Sequence, residues 1–314
     1  MPGAPVIRPV RDRGDLEAVV DVVVQVTPHD IPSVDEIEHW QANEPDALLL
    51  LAHVGERLAG SGWGAPAPEP GRVFSMIRVV PRLRGRGVGS ALYAAVSEHA
   101  RQLGGGVLQG RVLEEDTEAR GFLERRGFQE LNRRYESTLE LAATPDVAPE
   151  PPHGVTIVSL AGRPELVPAA YDIERESLPD IPTAAPDEIA PFEKWVAKKF
   201  EGPGALLQGS FVALAAGEAV GYAGLRAADA EAGRADHLMT AVRRAWRGRG
   251  VASALKQTQI EWARRAGFEL LVAHNDADNA AMRGINSRLG YRPRNVEIDV
   301  RGPLAPQGAQ SAPR

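Results

Sequence analysis

The chain has 314 residues, of which 43% are hydrophobic, so its length suggests about two domains with buried cores. Its net charge of −6 and its pI of about 5.7 argue against a general nucleic-acid-binding surface. It has no cysteine, no apolar stretch near the ~20 residues of a membrane span and no N-terminal signal pattern, so we expect a cytoplasmic protein without disulfides, a metal site or a membrane partner.

The first half of the chain is predicted to contain a strand, two helices, three strands, a helix, a strand and a helix. These assignments rest on apolar residues at helical or alternating spacing and on the turn residues between them. Asp15 is the predicted cap of the first helix. The predicted elements are Val6–Val10, Asp15–Val26, Val34–Ala42, Leu48–Val54, Arg57–Trp63, Val73–Val80, Gly87–Leu103, Val107–Leu113 and Thr117–Arg126.

The second half repeats this order after a proline-rich segment, 142–153, which lacks apolar periodicity and is predicted to be a semi-rigid linker. We therefore expect an α/β (α+β) fold with two domains, 1–141 and 154–302. Each should have helices packed on a mixed, mostly antiparallel twisted sheet. Residues 303–314 are predicted to be a disordered tail. The predicted elements of the second half are Val155–Leu160, Arg163–Ser177, Pro186–Phe200, Phe211–Ala216, Ala219–Leu225, His237–Val242, Val251–Ala266, Leu270–His274, Asn279–Leu289 and Val296–Val300.

Two loops of this sequence are nearly identical. The first, Arg84–Gly89, reads Arg-Gly-Arg-Gly-Val-Gly, and the second, Arg247–Ala252, reads Arg-Gly-Arg-Gly-Val-Ala. In both halves another glycine follows the first loop glycine after 19 residues, and a glycine-aromatic pair follows it after 42 residues. This matched spacing predicts two related folding units. Because each loop precedes a predicted helix, several backbone N–H groups are expected to converge on an anion beside the arginines.

Two other glycine-rich phosphate-binding loops do not match this pattern. A dinucleotide-binding loop requires a third glycine where this chain has Ser90 and Ser253. A P-loop requires Gly-Lys-Ser or Gly-Lys-Thr, and neither copy contains that sequence. A dehydrogenase with a nicotinamide cofactor is therefore disfavoured. For a single copy, a structural turn with solvated arginines would be the better interpretation, but repetition at matched spacing argues against it.

The two loops, with the strands that precede them and the closing pairs Gly127-Phe128 and Gly290-Tyr291, resemble the acyl-CoA-binding motif of the GNAT superfamily of N-acyltransferases. The resemblance covers nearly the whole chain as two GNAT domains in tandem. The asparagine-rich segment 275–291 is also similar to the C-terminal domains of tandem GNAT proteins, including mycothiol-synthase-like ones. The resemblance implies acetyl-CoA as the donor.

The resemblance also implies a set of cofactor-binding residues in each half. Backbone amides of the loops would hold the CoA pyrophosphate, and Val79 and Val242 would donate their N–H groups to the thioester carbonyl. Asn279, the predicted cap of the next helix, is included in the second set. The sets are Val79, Arg84, Gly85, Arg86, Gly87, Val88, Gly89 and Ser90 in the first half, and Val242, Arg247, Gly248, Arg249, Gly250, Val251, Ala252, Ser253 and Asn279 in the second.

The two halves differ most in the segment that precedes the glycine-aromatic pair. In the second half this segment contains several asparagines, and the first half has lost most of the polar set. The asparagines are Asn275, Asn279 and Asn286, opposite Val112, Asp116 and Leu123. We therefore expect the C-terminal domain to be catalytic and the N-terminal domain to be structural or to bind CoA without turnover. For Asn279, a purely structural role as a cap is an equally good interpretation.

In such an enzyme a neutral amine attacks the thioester directly, so a base must first remove a proton from the ammonium. Asp236 and His237 begin the strand before the second loop, and one of them is the candidate base. The alternative interpretation is a strand-edge charge and a partly buried polar residue. Asn286 occupies the position where many family members have a tyrosine acid, and we expect it to orient the thiol or a water.

Four acidic residues of the second half are candidates for binding a cationic amine, because they lie in the first two predicted helices and the loop between them. They are Glu174, Glu176, Asp180 and Glu193, and the alternative for each is an ordinary surface acid. The leading hypothesis is an acetyl-CoA-dependent N-acetyltransferase acting on the primary amine of a small molecule, as a monomer or homodimer. The alternatives are a non-catalytic CoA-binding or scaffold protein, and an acyltransferase that acts on a protein or peptide amine.

Overall fold

The computed structural model describes residues 3–28, 31–145, 148–181, 189–229 and 233–308. The chain forms two compact units. The first unit contains Met1–Leu131 and Ile298–Arg314, and the second contains Asn132–Glu297. These bounds differ from the domain bounds expected from the sequence, because residues 132–141 belong to the second unit and residues 298–302 to the first.

The elements of the first unit lie within a few residues of their predicted positions. Its first helix begins at Arg13, and the Asp12 side chain caps it by accepting a hydrogen bond from the Asp15 N–H at 3.0 Å. The prediction that Asp15 is the cap is therefore wrong, since its carboxylate accepts hydrogen bonds from the Arg8 guanidinium instead. The elements are β1 (Pro5–Pro9), α1 (Arg13–Val26), α2 (Val34–Asn43), β2 (Leu48–Val54), β3 (Arg57–Pro66), β4 (Arg72–Val79), α3 (Val88–Gln102), β5 (Val107–Leu113) and α4 (Thr117–Glu124).

In the second unit, the helix predicted at Pro186–Phe200 begins later, at Phe192, and residues 186–188 lie outside the described residues. None of the helices in the described ranges is long and apolar enough to span a membrane. The remaining elements, of which the first and last extend into both units, are β6 (Gln129–Glu140), β7 (Val155–Ser159), α5 (Val167–Ser177), α6 (Phe192–Phe200), β8 (Phe211–Ala215), β9 (Glu218–Asp229), β10 (Arg234–Val242), α7 (Val251–Arg265), β11 (Leu270–Asp276), α8 (Ala280–Arg288) and β12 (Arg292–Pro303).

The sheet of each unit is mostly antiparallel and contains one parallel pair, which confirms the predicted fold class. The strand order is β1-β2-β3-β4-β5 in the first unit and β7-β8-β9-β10-β11-β6 in the second. The parallel strands are β4 with β5 and β10 with β11. They pair at their first residues and then separate, since β10 leaves β11 after Asp236 and β4 leaves β5 after Phe74. We call the gap between the diverging strands the strand opening of each unit.

Two segments differ from the sequence-based expectation. No strand is predicted from the sequence at Gln129–Glu140, yet β6 runs antiparallel to β11 over residues 134–140. The prediction of a disordered tail is wrong for residues 303–305, because the Tyr93 hydroxyl donates a hydrogen bond to the Pro303 carbonyl at 2.7 Å and Ala305 lies buried in the core of the first unit. Residues 309–314 lie outside the described residues.

Each sheet has an apolar core on both of its faces. In the second unit α7 packs on one face through Leu255 and Ile260, and α5 and α6 pack on the other through Ile173 and Trp195. We call these the α7 face and the α5–α6 face. Burial of side chains of this size contributes about 1.5–3 kcal/mol each. Because successive side chains of a strand alternate between faces, this arrangement decides where each site residue points.

Candidate functional site

The two arginine-glycine loops have the same backbone conformation. Gly85 and Gly87 have φ angles of 73° and 81°, and Gly248 and Gly250 have φ angles of 73° and 87°. A residue with a side chain is strained in this left-handed region by about 1–2 kcal/mol. A Cβ atom at Gly85, Gly87 or Gly248 would meet no other atom within 4 Å. The backbone conformation therefore requires these glycines, and the space in front of the loops is open.

The second loop leads directly into the start of α7. Gly250 is the residue before the helix, and its carbonyl accepts the first helical hydrogen bond, from Ala254, at 3.0 Å. The N–H groups of Val251, Ala252 and Ser253 consequently have no acceptor inside the helix. They point out of the helix at its positive end, an arrangement that binds anions such as phosphate. In the first unit Gly87 stands in the same relation to α3.

One arginine of each loop braces the loop against the preceding strand. The Arg247 Nε donates to the Val242 carbonyl at 3.0 Å, and its guanidinium also binds Asp180 at 2.8 Å. In the first unit the Arg84 guanidinium pairs with Asp116 at 2.8 Å and with Glu118 at 2.9 Å. Both guanidinium groups are therefore occupied by carboxylates, so their assignment to the cofactor stays a prediction.

The other loop arginines are exposed and have no carboxylate partner among the residues that the structure describes. Arg249 stacks its guanidinium over the Trp246 ring at 4.9 Å from the ring centroid, and Arg86 lies at the corresponding position of the first unit. Ser90 accepts a hydrogen bond from Arg126 at 2.8 Å. Arg86 and Arg249 are thus the loop cations available to an anionic ligand.

The last residue of β10 presents its backbone to the strand opening. The Arg243 N–H donates to the Val220 carbonyl of the neighbouring chain segment at 3.0 Å. Because successive N–H groups of an extended strand point in opposite directions, the Val242 N–H faces the opposite side, where β11 has separated from β10. In the first unit the Val80 N–H donates to the Ala59 carbonyl at 3.0 Å, so the Val79 N–H likewise faces the side where β5 has separated from β4.

A β-bulge distinguishes β10 from its counterpart in the first unit. His237 lies opposite Leu225 and Met239 opposite Gly224, so Leu238 is an extra residue in β10, whereas β4 pairs with β3 without such a shift. A bulge re-aims the side chains around it. Since Leu225 belongs to the α7 face, His237 points to that face and Asp236 to the α5–α6 face.

The structure thus separates the two candidate bases onto opposite faces of the sheet. The Asp236 carboxylate accepts two hydrogen bonds from the Arg234 guanidinium, at 2.9 and 3.0 Å. Both oxygens of this carboxylate are therefore engaged by a cation in a bidentate contact. His237 has different neighbours and belongs to a buried polar cluster.

That cluster joins β10, α7 and the residue that follows α8. The Nε2 atom of His237 lies 2.5 Å from the Tyr291 hydroxyl, and the Lys256 Nζ lies 5.0 Å from the centroid of the Tyr291 ring. Lys256 and Tyr291 are 1% and 3% exposed. Among the described residues no carboxylate pairs with Lys256. We call His237, Lys256 and Tyr291 the histidine cluster.

Burial sets the protonation of the histidine cluster. Burial and the Lys256 ammonium hold the pKa of His237 well below its ordinary value, and burial lowers the pKa of Lys256 to about 7. Burial also raises the pKa of Tyr291, so this side chain stays a phenol, and its oxygen can accept a hydrogen bond from the Nε2–H of His237. The neutral imidazole then has its free lone pair on Nδ1. The Nδ1 atom of His237 is buried and makes no direct hydrogen bond within the described part of the chain, and the Gln259 side chain opposes the lowering of the pKa of His237.

The predicted asparagines form two separate arrangements. Asn286, which is 2% exposed, donates from Nδ2 to the Oδ1 of Asn275 at 2.6 Å. Its backbone carbonyl accepts a hydrogen bond from the Tyr291 N–H. This pair therefore adjoins the histidine cluster at the end of β11. Asn279 instead caps α8 by accepting a hydrogen bond from the Met282 N–H at 3.1 Å. Its contacts match the structural interpretation, and its assignment to the cofactor stays a prediction.

The first unit has aromatic or aliphatic residues at the positions of Lys256, Tyr291 and Asn286. Tyr93 replaces Lys256 and Phe128 replaces Tyr291, with 6.0 Å between the Tyr93 and Phe128 ring centroids. Leu123, at the position of Asn286, packs into an apolar cluster with Val112. The first unit therefore keeps the loop but has an aromatic core where the second unit has its polar cluster.

Two of the four candidate acceptor-binding acids instead brace the second loop. Glu176 binds the Arg243 guanidinium and the Arg244 N–H, both at 2.8 Å. Asp180 binds Arg244 at 2.7 Å and Arg247 at 2.8 Å. These hydrogen bonds lower the pKa of Asp180 to about 2. Since both carboxylates are engaged by arginines, their role in acceptor binding stays a prediction without a supporting contact.

The other two candidate acids lie in different environments. Glu174 is 5% exposed on α5 and pairs with Lys199 at 3.0 Å, whereas Glu193 is exposed on α6. Lys199, and Lys256 and Tyr291 of the histidine cluster, are not among the site residues predicted from the sequence. The available signal for Lys256 was a charged residue between Leu255 and Ile260 on the apolar stripe of a helix.

The fold and the site define a class of protein. An arginine-glycine loop that leads into a helix beside a strand opening occurs once in each unit. A sequence model of the acetyltransferase (GNAT) family matches residues 18–128 and 167–291. The chain therefore belongs to the GNAT family, as two GNAT domains in tandem, and is an acyltransferase in the general sense of that family.

Solved structures show the same fold over the full chain. A tandem GNAT protein from the clavulanic acid biosynthesis pathway is 21% identical with a TM-score of 0.77, and the match covers 96% of this chain and 99% of that one. A GCN5-related N-acetyltransferase from Sphaerobacter thermophilus is also 21% identical, with a TM-score of 0.75 and 96% coverage of both chains. These identities establish the fold alone. No curated protein sequence matches the chain.

Proposed function

We propose that the protein is an acetyl-CoA-dependent N-acetyltransferase that acts on the primary amine of a small molecule, with the second unit as the catalytic one. The observation that carries this proposal is the combination, in the second unit, of an open phosphate-binding loop, a strand opening and the histidine cluster. The first unit has the loop and the opening, but it has aromatic residues at the positions of Lys256 and Tyr291. This difference favours a structural role or CoA binding without turnover for the first unit.

The residues around the second loop fit the pyrophosphate of CoA. The N–H groups of Val251–Ser253 lack acceptors within the helix, the space before Gly248 is open, and Arg249 supplies a cation. Acetyl-CoA, when bound, supplies an activated acyl group whose carbonyl oxygen gains negative charge as an amine attacks. The Val242 N–H, which faces the strand opening, is the donor placed to stabilise that charge.

His237 is the better placed of the two candidate bases. It lies where β10 leaves β11, and it is uncharged at neutral pH because of burial and the nearby Lys256. An uncharged imidazole can take a proton from an ammonium group, and Tyr291 holds the ring in position through Nε2. The unpaired Nδ1 atom is the position at which His237 would accept this proton. Asn286 adjoins the same cluster and is proposed to orient the thiol or a water.

Replacement of Gly250 by valine tests the assignment of the second loop. At a φ of 87° the new side chain strains the loop and covers the start of α7, so we expect loss of acetyl-CoA consumption with every amine of a panel. Gly267→Val is the matched control, since Gly267 has a φ of 83° in open space at the other end of the same helix. Unchanged turnover in G250V would refute the loop assignment, and loss of turnover in G87V instead would make the first unit the catalytic one.

The alternative is a protein that binds CoA without transferring an acyl group. The same variants distinguish it, because calorimetry would show CoA binding to the wild-type protein and weaker binding to G250V, with no acetylated product from any amine. The remaining alternative is an acyltransferase that acts on a peptide amine. It predicts acetylated product only when lysine-containing peptides are included in the panel.

A further inference from the structure

A buried group of polar and aromatic side chains lies on the α5–α6 face of the second unit. We call it the Glu174 cluster, and its members are Glu174, Ser177, Trp195, Lys199 and Tyr222. Trp195 and Tyr222 have ring centroids 6.1 Å apart, and Glu174 raises the pKa of Tyr222 in addition to the larger effect of burial. Ser177 lies one turn after Glu174 on the same face of α5.

Four polar atoms of this cluster have no hydrogen-bond partner among the described residues. They are the Oε2 of Glu174, the Oγ of Ser177, the Nε1 of Trp195 and the hydroxyl of Tyr222. All four residues are 5% exposed or less. Buried polar atoms are nearly always paired, and an unpaired one is strongly unfavourable. Four of them in one cluster mark a place where a polar group from outside the described residues can bind.

The kinds of atom define the chemistry of that group. A carboxylate oxygen accepts hydrogen bonds only, whereas the indole Nε1 donates only. A group that binds there would supply N–H donors for Glu174 and an acceptor for Trp195. An ammonium group with a nearby oxygen meets both requirements, and the aromatic rings of Trp195 and Tyr222 add a surface that favours cations.

The chain already places an alkylammonium group in this cluster. The Lys199 Nζ lies 3.0 Å from the Oε1 of Glu174 and 5.7 Å from the centroid of the Trp195 ring. Burial lowers the pKa of Lys199, and the Glu174 carboxylate opposes this effect. The cluster therefore already binds one primary amine, that of the chain's own Lys199.

The cluster also lies beside the part of β10 that borders the strand opening. Tyr222 is opposite Ala241, the residue before Val242, and its hydroxyl extends over Gly224 next to the bulge at Leu238. The first unit has Ser61 at the position of Tyr222 and Trp63 at that of Gly224, with Trp63 packed in an apolar core. Like the histidine cluster, this arrangement belongs to the second unit.

We propose that the Glu174 cluster recognises a cationic group of the acceptor amine, and that Lys199 occupies this position in the free protein until the acceptor displaces it. This inference rests on the proposed function for the identity of the ligand as an acceptor. It defines the substrate class as an amine with a hydrogen-bond-accepting oxygen near its ammonium group. Of the four acids predicted from the sequence, it selects Glu174.

The first test measures cation binding without acyl transfer. Lys199→Ala leaves Glu174 unpaired in a space that fits n-butylammonium, so we expect this ion to raise the Tm of K199A by roughly 3–5 °C and 1-butanol to have no effect. The double variant E174Q/K199A, which has no buried charge to pair, should show no such rise. Equal effects of n-butylammonium on both variants would overturn the assignment of a cation site to Glu174.

The second test asks whether the cation belongs to the acceptor. Benzylamine is charged at neutral pH and aniline is not, so we expect E174Q to raise KM about tenfold for benzylamine and less than about twofold for aniline, with kcat little changed. E174Q/K199M serves as a second variant if E174Q does not fold, because it removes both charges. Equal changes in KM for the two amines would overturn the proposal. Absence of transfer to any amine would instead contradict the proposed function, and the thermal test would still decide the cation site.

Discussion

Replacement of Lys256 by methionine tests the energetic cost of the amino group buried in the histidine cluster. Lys256 is 1% exposed, and burial lowers its pKa to about 7. In the unfolded chain its pKa is that of an ordinary lysine, about 10.4. Between these two values the unfolded state binds more protons than the folded state, so the free energy of unfolding rises as the pH rises from 7 to 10.

The size of this effect follows from the difference in pKa. About 3.5 pH units at 1.36 kcal/mol per unit correspond to an upper limit of about 4–5 kcal/mol. Methionine has a similar volume and no charge, so the second unit of K256M should be more stable than that of the wild-type protein at pH 7 by up to about 4 kcal/mol. The advantage should shrink as the pH approaches 10.

Urea unfolding of both proteins at pH 7, 8, 9 and 10, followed by tryptophan fluorescence, measures this difference. Lys198→Met is the matched control, because Lys198 is exposed on α6 and its replacement should leave the pH dependence unchanged. Titrating groups outside the histidine cluster affect all three proteins equally, so the difference between K256M and the wild-type protein is diagnostic. Parallel pH dependences of these two proteins would refute the argument that Lys256 is buried as a neutral amine.

Three further outcomes are expected. K256M should move the acidic limb of the pH profile of kcat/KM upward by about one unit, because removal of a nearby cation raises the pKa of His237. His237 must be uncharged to act as the base, so an unchanged limb would exclude this role. D180N should raise KM for acetyl-CoA several-fold, since Arg244 and Arg247 lose their shared carboxylate; equal KM values would show that the loop does not need this brace. Deletion of residues 303–314 should lower the Tm of the first unit by at least several degrees in calorimetry, and an unchanged Tm would contradict the packing of Ala305.

Much of the fold was predictable because the chain contains the same pattern twice. The repeated loops and glycine-aromatic pairs predicted two related units, and the apolar periodicity located most helices and strands to within a few residues. The start of α1 is an example in which the local sequence pattern is ambiguous. Both Asp12 and Asp15 can cap a helix, and the choice depends on Arg8, a residue on the preceding strand that draws Asp15 into an ion pair.

The site was predictable only where the backbone alone defines it. The glycine positions of the loops and the orientation of the Val242 N–H follow from local sequence and strand geometry. Side-chain partners do not, because they depend on elements far apart in the chain. Asp180 meets Arg247 from 67 residues away, and Tyr291 meets His237 from 54 residues away. Lys256 was missed because a lysine on a helix is normally an exposed residue.

The division of the first unit between the two ends of the chain has a consequence for its synthesis on the ribosome. Its final segment, which begins at Ile298, emerges last, about 170 residues after Leu131. At a synthesis rate of roughly 5–20 residues per second, the apolar surface around Val112 stays uncovered for on the order of 10–30 s before Ile298 and Val300 are made. The second unit, whose strand β6 is made early, can close sooner. Nascent chains of this protein should therefore complete their second unit before their first, the reverse of the usual order in which domains fold during synthesis.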